Sequence, residues 1–144
     1  MIFAYAGRFR KEIGGNITGE KMRRSERGRL IKKIEALIFK QLLKERGARC
    51  EICGRTKGLG LFHILPKSTY PRLRFCKENL LIVCWYPCHY NWHHDYYKAK
   101  KIEQRIIKLR GKDYLERLKA LNLMTPKLSM FYLRTLYEAL KTEF

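Results

Sequence analysis

Two short cysteine pairs constrain this chain more than any other feature. Cys50 and Cys53 are spaced C-x2-C, thirty residues intervene, and Cys84 and Cys88 follow as C-x3-C. At such spacings each pair brings two sulfurs to one tetrahedral ion from a single turn, so together they supply a four-thiolate set for one structural Zn2+. The intervening run reads as a hairpin. Buried cysteine also serves as a small apolar side chain, but Arg49, Glu51, Gly54 and Arg55 around the first pair are polar and turn-forming, which suits a metal knuckle better than a core. Cys76 has no near partner and reads as an ordinary packed thiol. An odd cysteine count without a secretory leader argues against a disulfide framework and for a reducing cytoplasm.

The charge balance narrows the partner. Lys and Arg number 32 against 13 Asp and Glu, a net charge of +19. The excess is spread along the chain: 14 basic against 5 acidic residues over 1–49, 6 against 2 over 50–94, and 12 against 6 over 95–144. Such a chain concentrates on polyanions by releasing their counterions, which makes nucleic acid the expected partner, DNA first and RNA not excluded. A membrane is not expected. The longest apolar run, Leu80 to Cys88, is far short of a bilayer span and contains Pro87, and Met1 to Ala6 is too short for a signal peptide.

Hydrophobic spacing divides the chain into a basic arm over 1–19, an amphipathic helix over 20–47, a cysteine-bearing centre over 48–100 and a helical extension over 101–144, forming one domain. The arm contains several glycines and room for a short strand. In the helix, Leu30, Ile31, Ile34, Leu37, Ile38, Leu42 and Leu43 recur at three- and four-residue steps with lysines between them, and Gly47 supplies a stop. Its charged residues read as a solvated face also available to phosphates, with no individual role. Leu59 to Leu65 reads as a strand ending at Pro66, and Leu80 to Val83 as a second strand. A helix opens near Pro87 and carries His89 and His93 at i and i+4, on one face and close enough to share a cation. Tyr96 to Arg110 and Asp113 to Leu121 read as helices. Thr125-Pro126 is expected to open a last helix, whose stripe of Leu133, Leu136, Tyr137 and Leu140 packs on the domain or forms a homodimer.

The order strand, His63, loop, Asn79, strand, helix with His89 resembles the HNH endonucleases, whose site is a ββα-metal finger. More narrowly, residues from about Cys50 to Leu121 are similar to phage recombination endonucleases of the NinG/Rap type. That likeness rests on Cys50-Glu51-Ile52-Cys53-Gly54, His63, Leu73-Arg74-Phe75 before Asn79, the second cysteine pair running into His89, and Leu109 to Leu115. Three features depart from the family pattern: the second pair is C-x3-C instead of C-x2-C, Phe62 stands where many members carry an Asp or His metal ligand, and His89 stands where the narrower group tends to have Asn.

The resemblance implies an α+β fold, a zinc-braced ββα-metal finger flanked by N-terminal and C-terminal helices, and a metal-dependent DNA endonuclease of phage recombination, repair or genome processing. It casts His63 as general base, Asn79 as the residue orienting it, and His89 with His93 as ligands of a catalytic divalent cation. Imidazole ligands favour transition metals over Mg2+. His94 or Asp95 replaces His93 if the helix register shifts, and His89 and His93 are also candidates for the zinc site. Lys67, Arg72 and Arg74 in the loop are the expected DNA contacts. Of the aromatics near the site, Trp85, Tyr86, Tyr90 and Trp92, most are expected in a packed core and the remainder on splayed bases. The competing reading is a non-catalytic zinc-knuckle nucleic-acid-binding or regulatory protein, which the Phe62 departure favours. A third is a basic assembly scaffold.

Overall fold

A two-stranded hairpin divides the interior in the computed structural model, which describes residues 25–143. β1 (Leu59–His63) and β2 (Leu80–Cys84) pair antiparallel, with Leu59 opposite Cys84 and His63 opposite Leu80. Successive side chains of a strand point to opposite faces, so a strand covered on both sides reads as a continuous apolar run. That is the case for Leu80-Leu81-Ile82-Val83, all buried. Leu81 and Val83 join Phe62 in one core with Ile102, Ile106, Tyr114 and Leu118. Leu80 and Ile82 enter a second core with Ile34, Ile38, Leu42, Leu133 and Leu140.

The helices that cover these faces start and stop where local chemistry dictates. α1 (Glu26–Arg46) opens at Ser25, whose hydroxyl accepts the Gly28 N–H at 3.1 Å, and closes at Gly47, whose φ of +92° favours glycine. The basic arm over 1–19 and the first residues of the helix expected over 20–47 lie outside the described residues. After β2 the chain makes a wide turn through Trp85 and Tyr86, then enters the short helix α2 (Tyr90–His94). α3 (Tyr96–Arg110) begins at Asp95, whose carboxylate accepts the Lys98 N–H at 3.0 Å. Being continuous through residue 100, α3 crosses the expected division between centre and extension.

α4 (Tyr114–Met124) and α5 (Met130–Lys141) complete the fold. Thr125-Pro126 does not open the last helix. The Thr125 hydroxyl donates back to the Leu121 carbonyl at the end of α4, and the cap of α5 is Ser129, whose hydroxyl accepts the Tyr132 N–H at 3.1 Å. The apolar stripe of α5 packs against α1 of the same chain, and Arg134 adds a 2.8 Å ion pair to Glu26. The molecule is thus α+β, with no described helix long and apolar enough to cross a membrane.

Candidate metal centre and histidine cleft

The first cysteine pair reaches the second because Glu51 sews it to β2. The Glu51 N–H donates to the Ile82 carbonyl at 2.8 Å, and its carboxylate accepts the Ile82 N–H at 2.6 Å. Arg46 at the end of α1 reaches both the Glu51 carboxylate, at 3.3 Å, and the Leu80 carbonyl, at 2.7 Å. The knuckle itself closes through Gly54, at φ +84°, whose N–H donates to the Cys50 carbonyl at 2.9 Å.

The sulfurs of Cys50, Cys53, Cys84 and Cys88 consequently lie within 4.8 Å of one another. A tetrahedral ion with metal–sulfur bonds near 2.3 Å holds its ligands about 3.8 Å apart, and Cys53 Sγ and Cys84 Sγ are 3.6 Å apart. The donor set therefore fits a single thiophilic ion, consistent with structural zinc. Burial opposes ionisation of Cys50, but N–H groups of Cys53, Cys84 and Ile52 outweigh it and draw the thiol down to about 7. Burial and the neighbouring sulfurs push Cys88 up. Four thiolates are compatible at this density when a cation sits among them. Cys76 stands apart, with its Sγ 3.8 Å from the Arg72 carbonyl and its thiol pushed up by burial.

The histidines gather in a different place. His63, His89 and His93 line an open cleft of about 730 Å³, with Lys67 beside them and Lys32, Glu35 and Phe39 of α1 on its walls. The His63 Nε2 lies 3.0 Å from the Arg74 carbonyl. A carbonyl only accepts, so Nε2 carries the proton and Nδ1 is the basic nitrogen. Burial holds the His63 pKa below its ordinary 6.5; the Arg74 carbonyl and Glu35 pull it up, and the charge of Lys67 opposes protonation.

The ring is held by Arg74, with Asn79 acting on the loop around it. Asn79 is fully buried and spends its side chain on the backbone: Oδ1 accepts the Leu65 N–H at 2.8 Å, and Nδ2 donates to the carbonyls of Leu65 and Leu73 at 3.1 and 3.4 Å. It ties the end of β1 to the residue preceding Arg74. The guanidinium of Arg74 is turned to Glu35, with Nε and an outer nitrogen each 2.8 Å from the same carboxylate oxygen. Lysine-rich α1 gave no sequence signal for this role of Glu35, whose partner is 39 residues away.

His89 and His93 stand on successive turns with ring centroids 5.0 Å apart, and burial, helped by His93, His63 and Lys67, pushes His89 down to about 4. Both rings line the wall of the cleft. Phe62 packs edge-on against His89 and Trp92, at centroid distances of 5.5 and 5.4 Å, and so fills the departing position with packing. Of the loop cations, Lys67 faces the histidines, whereas Arg72 lines a separate hollow with Arg27, Lys127 and Leu128. The aromatics divide unlike the expectation: Trp92 packs against the core, while Trp85, Tyr86 and Tyr90 are exposed. No family model matches the chain, and no curated protein or solved structure matches it either.

Proposed function

We propose that the chain is a metal-dependent endonuclease that hydrolyses phosphodiester bonds in DNA, with zinc on the four cysteines as a structural brace. The observation that carries this reading is the convergence of His63, His89, His93 and Lys67 on one open cleft in a chain of net charge +19. Phosphodiester hydrolysis requires a base for the attacking water, stabilisation of charge at phosphorus, and help for the leaving oxygen.

In this reading His63 Nδ1 takes the proton from the water while its Nε2–H remains on the Arg74 carbonyl. Asn79 and Glu35 act as positioning residues: Asn79 fixes the backbone next to that carbonyl, and Glu35 anchors the Arg74 side chain of the same residue. His89 and His93 would hold the divalent cation, which when bound supplies charge neutralisation at the phosphate and the leaving oxygen. Lys67 contributes a further positive charge at the same wall. Phage recombination, repair or genome processing as the setting rests on the family resemblance alone.

Supercoiled plasmid incubated with Mn2+ or Mg2+ tests this directly. The proposal expects cation-dependent nicking that falls by about 10²- to 10⁴-fold in His63→Ala. DNA binding without cleavage under any cation sinks it and favours the non-catalytic zinc-knuckle binding protein, to which the packed position of Phe62 points.

A further inference from the structure

Beside the cleft, the described residues expose a run of aromatic rings. Trp85 is 60% exposed, Tyr86 63% and Tyr90 43%, although Trp92, a few residues away, is packed on Phe62. Large rings left in water at neighbouring positions mark a binding surface.

Their arrangement is ordered along the chain. One row runs Trp85, His89, His93, with ring centroids 5.0 Å apart at both steps. A second runs Tyr86, Tyr90, His94, with steps of 5.7 and 4.4 Å. The first row begins at an exposed indole and ends on the two histidines of the cleft wall. Trp85 thus stands one ring away from the cleft wall.

We propose that Trp85, Tyr86 and Tyr90 form a stacking platform for unpaired nucleobases, so that the substrate class of this site is a nucleic acid with splayed or single-stranded nucleotides beside the phosphate that enters the cleft. The substrate assignment rests on the nuclease reading above; the platform as a binding site does not. Every base offers a π-face, but in a duplex those faces are already covered by neighbouring pairs, so an exposed ring row gains contact only from bases outside the stack. Charge favours nucleic acid over an apolar protein partner: exposed Lys98, Lys100 and Lys101 follow the platform on α3, with the Lys100 ammonium 4.6 Å from the Tyr96 ring centroid, and Lys67 lies in the adjoining cleft.

The test is binding of fluorescent oligo(dT) and of a duplex of equal length, without added divalent cation. Trp85→Ala is expected to weaken oligo(dT) binding by about 5- to 150-fold, the equivalent of one lost stack, with duplex binding unchanged and Trp85→Phe close to the original chain. Equal losses on both DNAs, or no loss on either, overturn the platform. In the unaltered chain, oligo(dT) is expected to shield the exposed tryptophan from acrylamide quenching; unchanged quenching at saturating DNA overturns the platform without any variant. Self-association or vesicle binding that disappears in Trp85→Ala while oligo(dT) affinity stays constant overturns it in favour of a protein or membrane surface. A chain that cleaves nothing but shows strand-selective loss keeps the platform and loses the nuclease reading. A cleaving chain without that selectivity does the reverse.

Discussion

The cysteine cluster and the histidine cleft share one hairpin and are built on opposite principles. At the cysteines, four side chains converge within 4.8 Å, three of them are buried, and hydrogen bonds from Glu51 lock the first knuckle to β2, where the second begins. At the histidines, two rings stand side by side on the wall of an open cleft, and a third is held by a single carbonyl. A site whose coordination the protein saturates holds an ion for structure, whereas a site with vacant positions has room for water and substrate. The same stretch of chain thus presents a closed donor set at the cysteines and an open cleft at the histidines.

The comparison breaks hardest at a cysteine. Cys84→Ser removes one thiolate from a site of the kind whose ion contributes about 10–16 kcal/mol, comparable to the whole stability of a domain. Loss of the cooperative thermal transition, together with loss of bound zinc, is the expected outcome; a normal melt with zinc retained contradicts the structural role.

Asn79→Ala separates loop geometry from metal binding. It strands the Leu65 N–H and the Leu65 carbonyl in the interior, while the Leu73 carbonyl keeps the Cys76 N–H, at about 1–3 kcal/mol for each group left unsatisfied. Urea unfolding should show a lowered midpoint while zinc content stays constant, and DNA cleavage should drop as the Arg74 carbonyl loses its place.

The acidity of His63 sharpens the assignment of the base. Burial lowers its folded pKa, so the neutral ring persists through 6.5, the ordinary value, and cleavage should fail only as the pH drops through a lower one. An acid limb at or above 6.5 in the pH profile would assign the base elsewhere.

The smallest effect belongs to Glu35→Gln, which weakens a partly exposed ion pair and should cost about 1 kcal/mol or less in stability. Its proper readout is the His63 tautomer in 15N NMR. A growing Nδ1–H population is expected, and an unchanged tautomer removes Glu35 from the positioning role.

What was legible in the sequence is what lies within a few residues. Cysteine spacing announced the four-thiol cluster, and the three- and four-residue steps of Ile34, Ile38 and Leu42 announced the buried face of α1. The hold on His63 was illegible because it comes from a backbone carbonyl, which every residue carries, and Glu35 was hidden because its partner is distant in the chain. Thr125 and Ser129 are both competent caps, and only the hydrogen bond of Thr125 back to Leu121 decides between them. The exposure of Trp85 and Tyr86 depends on the wide turn after β2, which residue spacing does not encode.

Metal content measured alongside cleavage tests most directly the claim of one closed and one open metal site. After mild chelator dialysis the account predicts one zinc retained per chain, plasmid nicking abolished, and nicking restored by Mn2+ alone. Zinc and activity lost together, with recovery only on adding zinc, or activity that survives dialysis untouched, would contradict it.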